Sequence, residues 1–270
     1  MNKILLAFDG INASKGAFEF ARRLNELQPI LLTGSFLPQT DFSASWSYAT
    51  GEGPVQIPTV EPSVSEKVAE NMLQFETACK KEGIDYRIRR HFHQLAVEQL
   101  LKETRFADLM ILGSEIFFGG DTTILEDILH DTECPVIVVP EAFSFPEQLI
   151  LAYDGSKSSV FAIRQFTCLF PHLCGLPATL VYASSMRDKE AALPEEDYIE
   201  ELVARHFSKL EIRRLQLHSR DEFAGWLSGL SAPMLISGSF GRSLFSQEFK
   251  ESFAEKVINY RLIPVFIAHK

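Results

Sequence analysis

Apolar residues fall along this chain in two alternating rhythms. Short unbroken runs such as Ile4-Leu5-Leu6-Ala7-Phe8 alternate with stretches where apolar positions recur every three or four residues, as in Ala17, Phe20, Ala21 and Leu24. The first kind reads as strands buried on both faces, the second as helices with one buried stripe. The pattern predicts strands at 3–9, 30–36, 85–91, 108–113 and 136–139, with helices at 13–27, 63–82, 94–105 and 122–131 between them. It resumes with strands near 148–154, 178–184, 211–218, 234–239 and 264–268. The first helix of this second series is marked by Ala162, Phe166, Leu169 and Phe170, and its last by Phe249, Phe253, Val257 and Tyr260. Buried strands joined by helices imply an α/β fold with a mostly parallel sheet covered on both faces.

The rhythm also repeats at long range. Ile4-Leu5-Leu6-Ala7-Phe8-Asp9-Gly10 returns as Leu149-Ile150-Leu151-Ala152-Tyr153-Asp154-Gly155, identical at four of seven positions. Asp108–Ser114 is echoed by Pro233–Ser239, and Pro135–Val139 by Pro264–Ala268, in the same order. A tandem duplication follows, with domains at 1–145 and 146–270, each a doubly wound five-stranded parallel sheet. Between them Pro140–Pro146 is too short and too aromatic for a free linker, so the domains are expected to pack together. Both copies end in an apolar strand, and open sheet edges are liabilities. Val136–Val139 and Val265–Ala268 are therefore expected to pair as an internal pseudo-dimer. One segment breaks the rhythm: 37–62 carries four prolines, Trp46 and Tyr48. Leaving the carboxyl end of a strand, it is expected to lay Trp46 or Tyr48 over the first domain's crevice or onto a neighbouring domain.

Composition narrows the function. Twenty-six Lys and Arg against 36 Asp and Glu give a net charge of −10, which disfavours nucleic-acid and anionic-membrane surfaces. The acid is uneven: residues 1–145 hold 12 basic against 21 acidic side chains and 146–270 hold 14 against 15, so an anion is better tolerated in the second half. No apolar run reaches the ~18 residues of a membrane helix, and Asp9 interrupts the N-terminal apolar run before it could form a signal-peptide core. The four cysteines form no CxxC pair and read as buried small apolar residues in a reducing compartment. A cytoplasmic location is expected.

In a doubly wound sheet the ligand crevice lies outside the carboxyl ends of the strands, where strand order reverses. This selects Asp9 and Asp154 after the first strand of each copy, and the turns after Gly113 and Gly238. The aspartates have a second reading, as caps of helices starting near Ser14 and Ser159. The second copy's turn, Gly238-Ser239-Phe240-Gly241-Arg242-Ser243, has glycines that let backbone N–H groups approach an anion, with Arg242 and Ser243 as donors. A tight glycine turn without ligand is the alternative. His93 and His218 occupy equivalent strand ends and read as solvated. The His91-Phe92-His93 pair lacks further metal-ligand spacing, so no metal site is expected. The acidic run 195–201 reads as a helix start. No Walker A or GxGxxG sequence is present, and no enzymatic activity is expected.

The Asp-Gly-Ser strand end at Asp154-Gly155-Ser156, the closing Pro-Val strands and the tandem α/β repeat resemble the universal stress protein family. The resemblance covers both halves almost end to end. Nucleotide-binding members of that family carry G-x2-G-x9-G-[ST]. Here Gly238 and Gly241 match, and nine residues on stand Glu251-Ser252, with an acid for the third glycine; the first copy aligns Gly113 with Ile116 and Thr122-Thr123 and has lost the motif. The resemblance implies an adenine-nucleotide site at Asp154, Gly238, Gly241 and Ser252, to which charge adds Arg242. The expected ligand is ATP with Mg, bound weakly or for regulation in the C-terminal domain. The alternative is a nucleotide-free stress-response interaction module, and either form leaves room for a further homodimer.

Overall fold

The computed structural model describes residues 2–9, 12–37, 62–90, 96–114, 122–185, 193–217, 220–238 and 263–269. The first half holds β1 (Lys3–Phe8), α1 (Lys15–Leu27), β2 (Leu31–Phe36), α2 (Pro62–Glu82), β3 (Asp85–Arg90), α3 (Ala96–Thr104), β4 (Leu109–Gly113), α4 (Thr122–Asp131) and β5 (Val136–Val139). The second holds β6 (Gln148–Tyr153), α5 (Lys157–Leu169), β7 (Ala178–Ser185), α6 (Glu196–His206), β8 (Leu210–Leu217), α7 (Arg220–Ser228), β9 (Pro233–Ser237) and β10 (Val265–Ile267). Elements expected from periodicity lie within one to three residues of these bounds. The helix marked by Phe249–Tyr260, and Trp46, Tyr48, His91, His93 and His218, lie outside the described residues.

The strands form one continuous sheet of ten, in the order β3-β2-β1-β4-β5-β10-β9-β6-β7-β8, rather than two separate sheets of five. Each half has the same internal order, read outward from the middle. Among the described strands all neighbours are parallel except at the seam, where β5 and β10 run antiparallel with Val138 opposite Val265, Ile137 opposite Phe266 and Val136 opposite Ile267. The expected pairing of the closing strands is therefore observed. It removes two apolar edges, and the edges that remain, β3 and β8, expose charges such as Asp85, Arg87, Arg89, Glu211 and Arg213.

Successive residues of the central strands point to opposite faces, so each strand feeds two cores. Ile4, Leu6 and Phe8 join α1 and α5 residues on one face, and Leu5 and Ala7 join α3, α4 and α7 residues on the other. Both cores run across the seam: Ile137 and Phe266 belong to the first, Val136, Val138, Val265 and Ile267 to the second. The connecting segment is packed rather than free. Phe143 and Phe145 lie 5.6 and 5.3 Å from Phe20, ring centre to ring centre, and the Arg23 guanidinium sits 5.2 Å over Phe145. Cys79, Cys134 and Cys174 are buried as expected, and burial pushes their thiols up to about 12, 12 and 11; Cys168 is exposed, a correction to the expectation for all four.

Candidate functional site

The strand ends of the two halves are built alike but finished differently. In the first half Asp9 is buried, and its carboxylate accepts from Asn12 N at 2.6 Å and Asn12 Nδ2 at 2.9 Å, closing the turn after β1. The cap of α1 is Ser14 itself, whose Oγ accepts from Ala17 N at 3.0 Å. In the second half Asp154 Oδ1 accepts from Ser156 N at 2.9 Å, and Ser156 caps α5 by accepting from Ser159 N at 3.1 Å. Neither aspartate caps a helix, and α5 is capped at Ser156 and starts at Lys157, ahead of Ser159. A short polar side chain after a strand can fold back onto the backbone two or three residues on, and here that local turn outcompetes capping.

Gly113 and Gly238 sit where these turns meet the ends of β4 and β9. A Cβ on Gly113 would lie 2.5 Å from Ser14 Oγ, and one on Gly238 would lie 2.2 Å from the backbone of Ser158 and Ser159. Both glycines are thus required by the close crossing of strand end and helix start. Because the first half keeps its glycine without the rest of the nucleotide motif, Gly238 is explained by packing before any ligand is considered. Gly155, with φ of +78°, turns the chain in the left-handed region, and its missing Cβ makes room for Pro194, 2.7 Å away. Tyr153 Oη donates to Pro194 O at 2.8 Å, so the approach to α6 lies on the Asp-Gly turn. Burial first, then the nearby Glu195 and Asp154 charges, raise the Tyr153 phenol above its usual range.

The largest difference is a carboxylate that sequence reasoning passed over. Glu141, just after β5, reaches the start of α1, where its Oε2 accepts from Lys15 N at 3.1 Å and Gly16 N at 3.3 Å. Gly16 makes the approach possible, since a Cβ there would lie 2.2 Å from Pro140 O. A helix start offers unpaired N–H groups and a favourable field to an anion, and the chain supplies its own. Counted from the caps Ser14 and Ser156, the matching amides in the second half are those of Lys157 and Ser158, and no side chain of the described residues accepts from either. Counted from the closing strands, Glu141 matches Lys270, outside the described residues.

Of the expected ligand residues, Asp154 and Gly238 stand together at the ends of the neighbouring strands β6 and β9. Gly241, Arg242 and Ser252, with Glu251, lie outside the described residues. The acidic run opens α6 as expected, with Glu196 paired to Arg214 at 2.6 Å. Among the described residues no group of three or more His, Cys, Asp or Glu is placed to hold a metal, and no helix is long and apolar enough to cross a membrane.

This architecture matches a solved universal stress protein from Archaeoglobus fulgidus DSM 4304, with a TM-score of 0.70 at 17% identity over 100% of this chain and 96% of that one. The fold is that of the universal stress proteins. Two Pseudomonas aeruginosa structures match this chain more loosely. A protein of unknown function from strain PAO1 has a TM-score of 0.54 at 12% identity, covering 100% of this chain and 92% of that one. A candidate universal stress protein from strain UCBPP-PA14 has 0.51 at 13%, covering 100% and 93%. No protein-family model matches the chain, and no curated protein matches it significantly by sequence.

Proposed function

We propose that this chain is a universal-stress-type protein, a tandem duplication with domains at 1–145 and 146–270, that binds an adenine nucleotide weakly and for regulation in its second domain. It acts by binding rather than catalysis, in the cytoplasm. One observation carries the reading: the anion position at the start of α1 is taken by Glu141, whereas at the matching start of α5 no side chain of the described residues accepts from the two N–H groups. ATP with Mg is the proposed ligand, near Asp154 and Gly238 and toward Gly241, Arg242 and Ser252. The packing role of Gly238 favours the second reading, a nucleotide-free interaction module, because the glycine is needed there in either case.

Glu251 sets the strength. A carboxylate about 5 Å from a phosphate charge costs about 3 kcal/mol before screening at an effective dielectric near 20, which weakens a micromolar site to roughly a few hundred micromolar. Calorimetric titration with Mg-ATP of the wild type, Gly241→Glu and Glu251→Gly tests this. Weak binding, lost in the first variant and strengthened at least ~10-fold in the second, is the expected result. Tight wild-type binding, or no gain in Glu251→Gly, refutes the placement of Glu251. Absence of binding in all three supports the interaction module instead.

A further inference from the structure

A cleft of about 520 Å³ runs between α5 and α6, from the strand-end turn at Tyr153, Gly155 and Ser156 along both helices to Arg164 and Leu202. Along α5 it is lined by Lys157, Val160, Phe161 and Arg164, the i, i+3, i+4, i+7 stripe of one helix face. Along α6 the same spacing brings Glu195, Tyr198, Ile199 and Leu202 to face it. The stripe spans roughly 10 Å at 1.5 Å per residue. Its middle is apolar and aromatic, Tyr198 is 75% exposed, and one end carries Arg164. Among the described residues neither Lys157 nor Arg164 has an ion-pair partner, in a chain with a net charge of −10.

The first half shows what an inert version of this face looks like. Counted from the caps, Lys157, Val160, Phe161 and Arg164 match Lys15, Phe18, Glu19 and Arg22. Arg22 is fully engaged, by Glu19 at 2.6 Å, by Glu26, and by Glu82 at 3.8 Å. In the second half the positions of Glu19 and Glu26 are Phe161 and Cys168, so the matching arginine loses both acids of its own helix. The space beside Phe18 is filled in the first half by Phe75, edge-on at 6.1 Å. In the second half Val160, the match of Phe18, lines the cleft, and an aromatic ring, Phe161, stands where the acid was.

We propose that the α5–α6 cleft binds a small organic carboxylate with an aromatic or short apolar body, its carboxylate on Arg164 and its body between Phe161, Val160 and Tyr198. The volume lies within the range of small-molecule sites, and an apolar wall with a few charged groups is their usual composition; Lys157 and Glu195 flank the strand-end side and Arg164 the other. Arginine suits a carboxylate because its planar fork can donate two parallel hydrogen bonds. The site adjoins the strand-end turn, but its anchor Arg164 is not among the nucleotide candidates, so the Arg164→Gln and amide comparisons test it independently of the nucleotide reading.

The test uses the full chain, 3-phenylpropionate as probe and 3-phenylpropionamide as its neutral isostere, followed by backbone amide NMR. The expected result is saturable shifts confined to 153–164 and 195–202, with a dissociation constant below about 10 mM. The amide and the Arg164→Gln variant bind at least ~3-fold more weakly, as befits a partly exposed charge contact. Val160→Trp, which fills the cleft from a half-exposed position, abolishes the shifts while its spectrum elsewhere shows the native fold. Absence of saturable binding, shifts centred elsewhere, equal binding of the amide, or binding retained in Val160→Trp each overturns the proposal.

Discussion

The two halves of this chain share a strand order and differ in how they spend their polar groups. The first half fills these positions with its own side chains. Glu141 occupies the start of α1, Glu19, Glu26 and Glu82 hold Arg22, and Phe75 fills the space between α1 and α2 with contacts to Phe8, Phe18, Phe36 and Tyr86. Among the described residues, the second half leaves the matching elements open: two helix-start amides without a side-chain acceptor, Arg164 without an ion-pair partner, and a cleft. When two halves share one architecture, only one needs to keep a site, and the other is free to close its crevices with its own side chains. Closing a crevice stabilises that copy, while leaving one open retains a place for a ligand. Function is therefore expected in the half that looks less finished.

The largest effect expected from breaking this contrast is at Phe75. Truncation to alanine removes a buried ring that meets four other aromatic residues, and is expected to cost about 4 kcal/mol in denaturant unfolding. It also opens beside α1 the kind of space that the second half has by nature.

The two strand-end glycines give the next effect and separate the halves directly. Gly113→Ala and Gly238→Ala are each expected to destabilise by about 2–3 kcal/mol through overpacking. At Gly113 the obstacle is the Ser14 side chain, so adding Ser14→Gly, tolerated at an N-cap at a cost of a few tenths of a kcal/mol, restores most of the loss. At Gly238 the obstacle is the backbone of Ser158 and Ser159, and no side-chain change in α5 rescues it. Equal rescue in both halves is incompatible with these crossings. Gly225 in α7, with nothing within 4 Å of its would-be Cβ, is the control, and its alanine variant is expected to be neutral or slightly stabilised.

These residues also mark what sequence could and could not reveal. The strands and helices were legible because burial on both faces leaves unbroken apolar runs and burial on one face leaves a stripe. The seam was legible because Pro135–Val139 and Pro264–Ala268 are too apolar for open edges. Glu141 was not, since its partners Lys15 and Gly16 lie 126 and 125 residues away and nothing local distinguishes it from a surface acid. Gly238 was legible as a glycine that matters but misleading as to why, because a close helix crossing and a phosphate turn ask for the same missing Cβ. Asp9 and Asp154 were found at the strand ends, yet their local turns became visible only with the distances to Asn12 and Ser156. The Arg164 contrast was open to inspection in principle, since aligning the two caps sets Glu19 against Phe161, but that alignment needs Ser156 rather than Ser159 as the cap.

Glu141→Ala removes two charge-assisted hydrogen bonds at a helix start and is expected to cost about 1 kcal/mol. The smallest effect is a pH dependence that belongs to the first half alone. Asp108 Oδ2 accepts from Asn2 N at 2.7 Å and Lys3 N at 3.0 Å. Burial alone raises its pKa, but these bonds with the chain-terminal amine and Lys3 charges outweigh it and hold the carboxyl below its usual range. A folded-state value below the unfolded one stabilises above the unfolded value and is lost as pH falls through the folded one. The stability gap between wild type and Asp108→Asn is thus expected to be full above about pH 5 and to close as pH drops below about 4. The matching residue in the second half is Pro233, which cannot titrate. Thermal unfolding across that range checks the trend, and a gap that widens on acidification contradicts it.

The central claim is that the second half holds the open anion position while Glu141 closes the first. Residue-resolved amide NMR during a Mg-ATP titration tests it most directly, in the wild type and in Glu141→Ala. The account predicts wild-type shifts at 154–158 and Gly238 and none at Asp9, Lys15, Gly16 or Gly113, with shifts at Lys15 and Gly16 emerging in Glu141→Ala. Wild-type shifts centred on Asp9, Lys15 and Gly113 would contradict it.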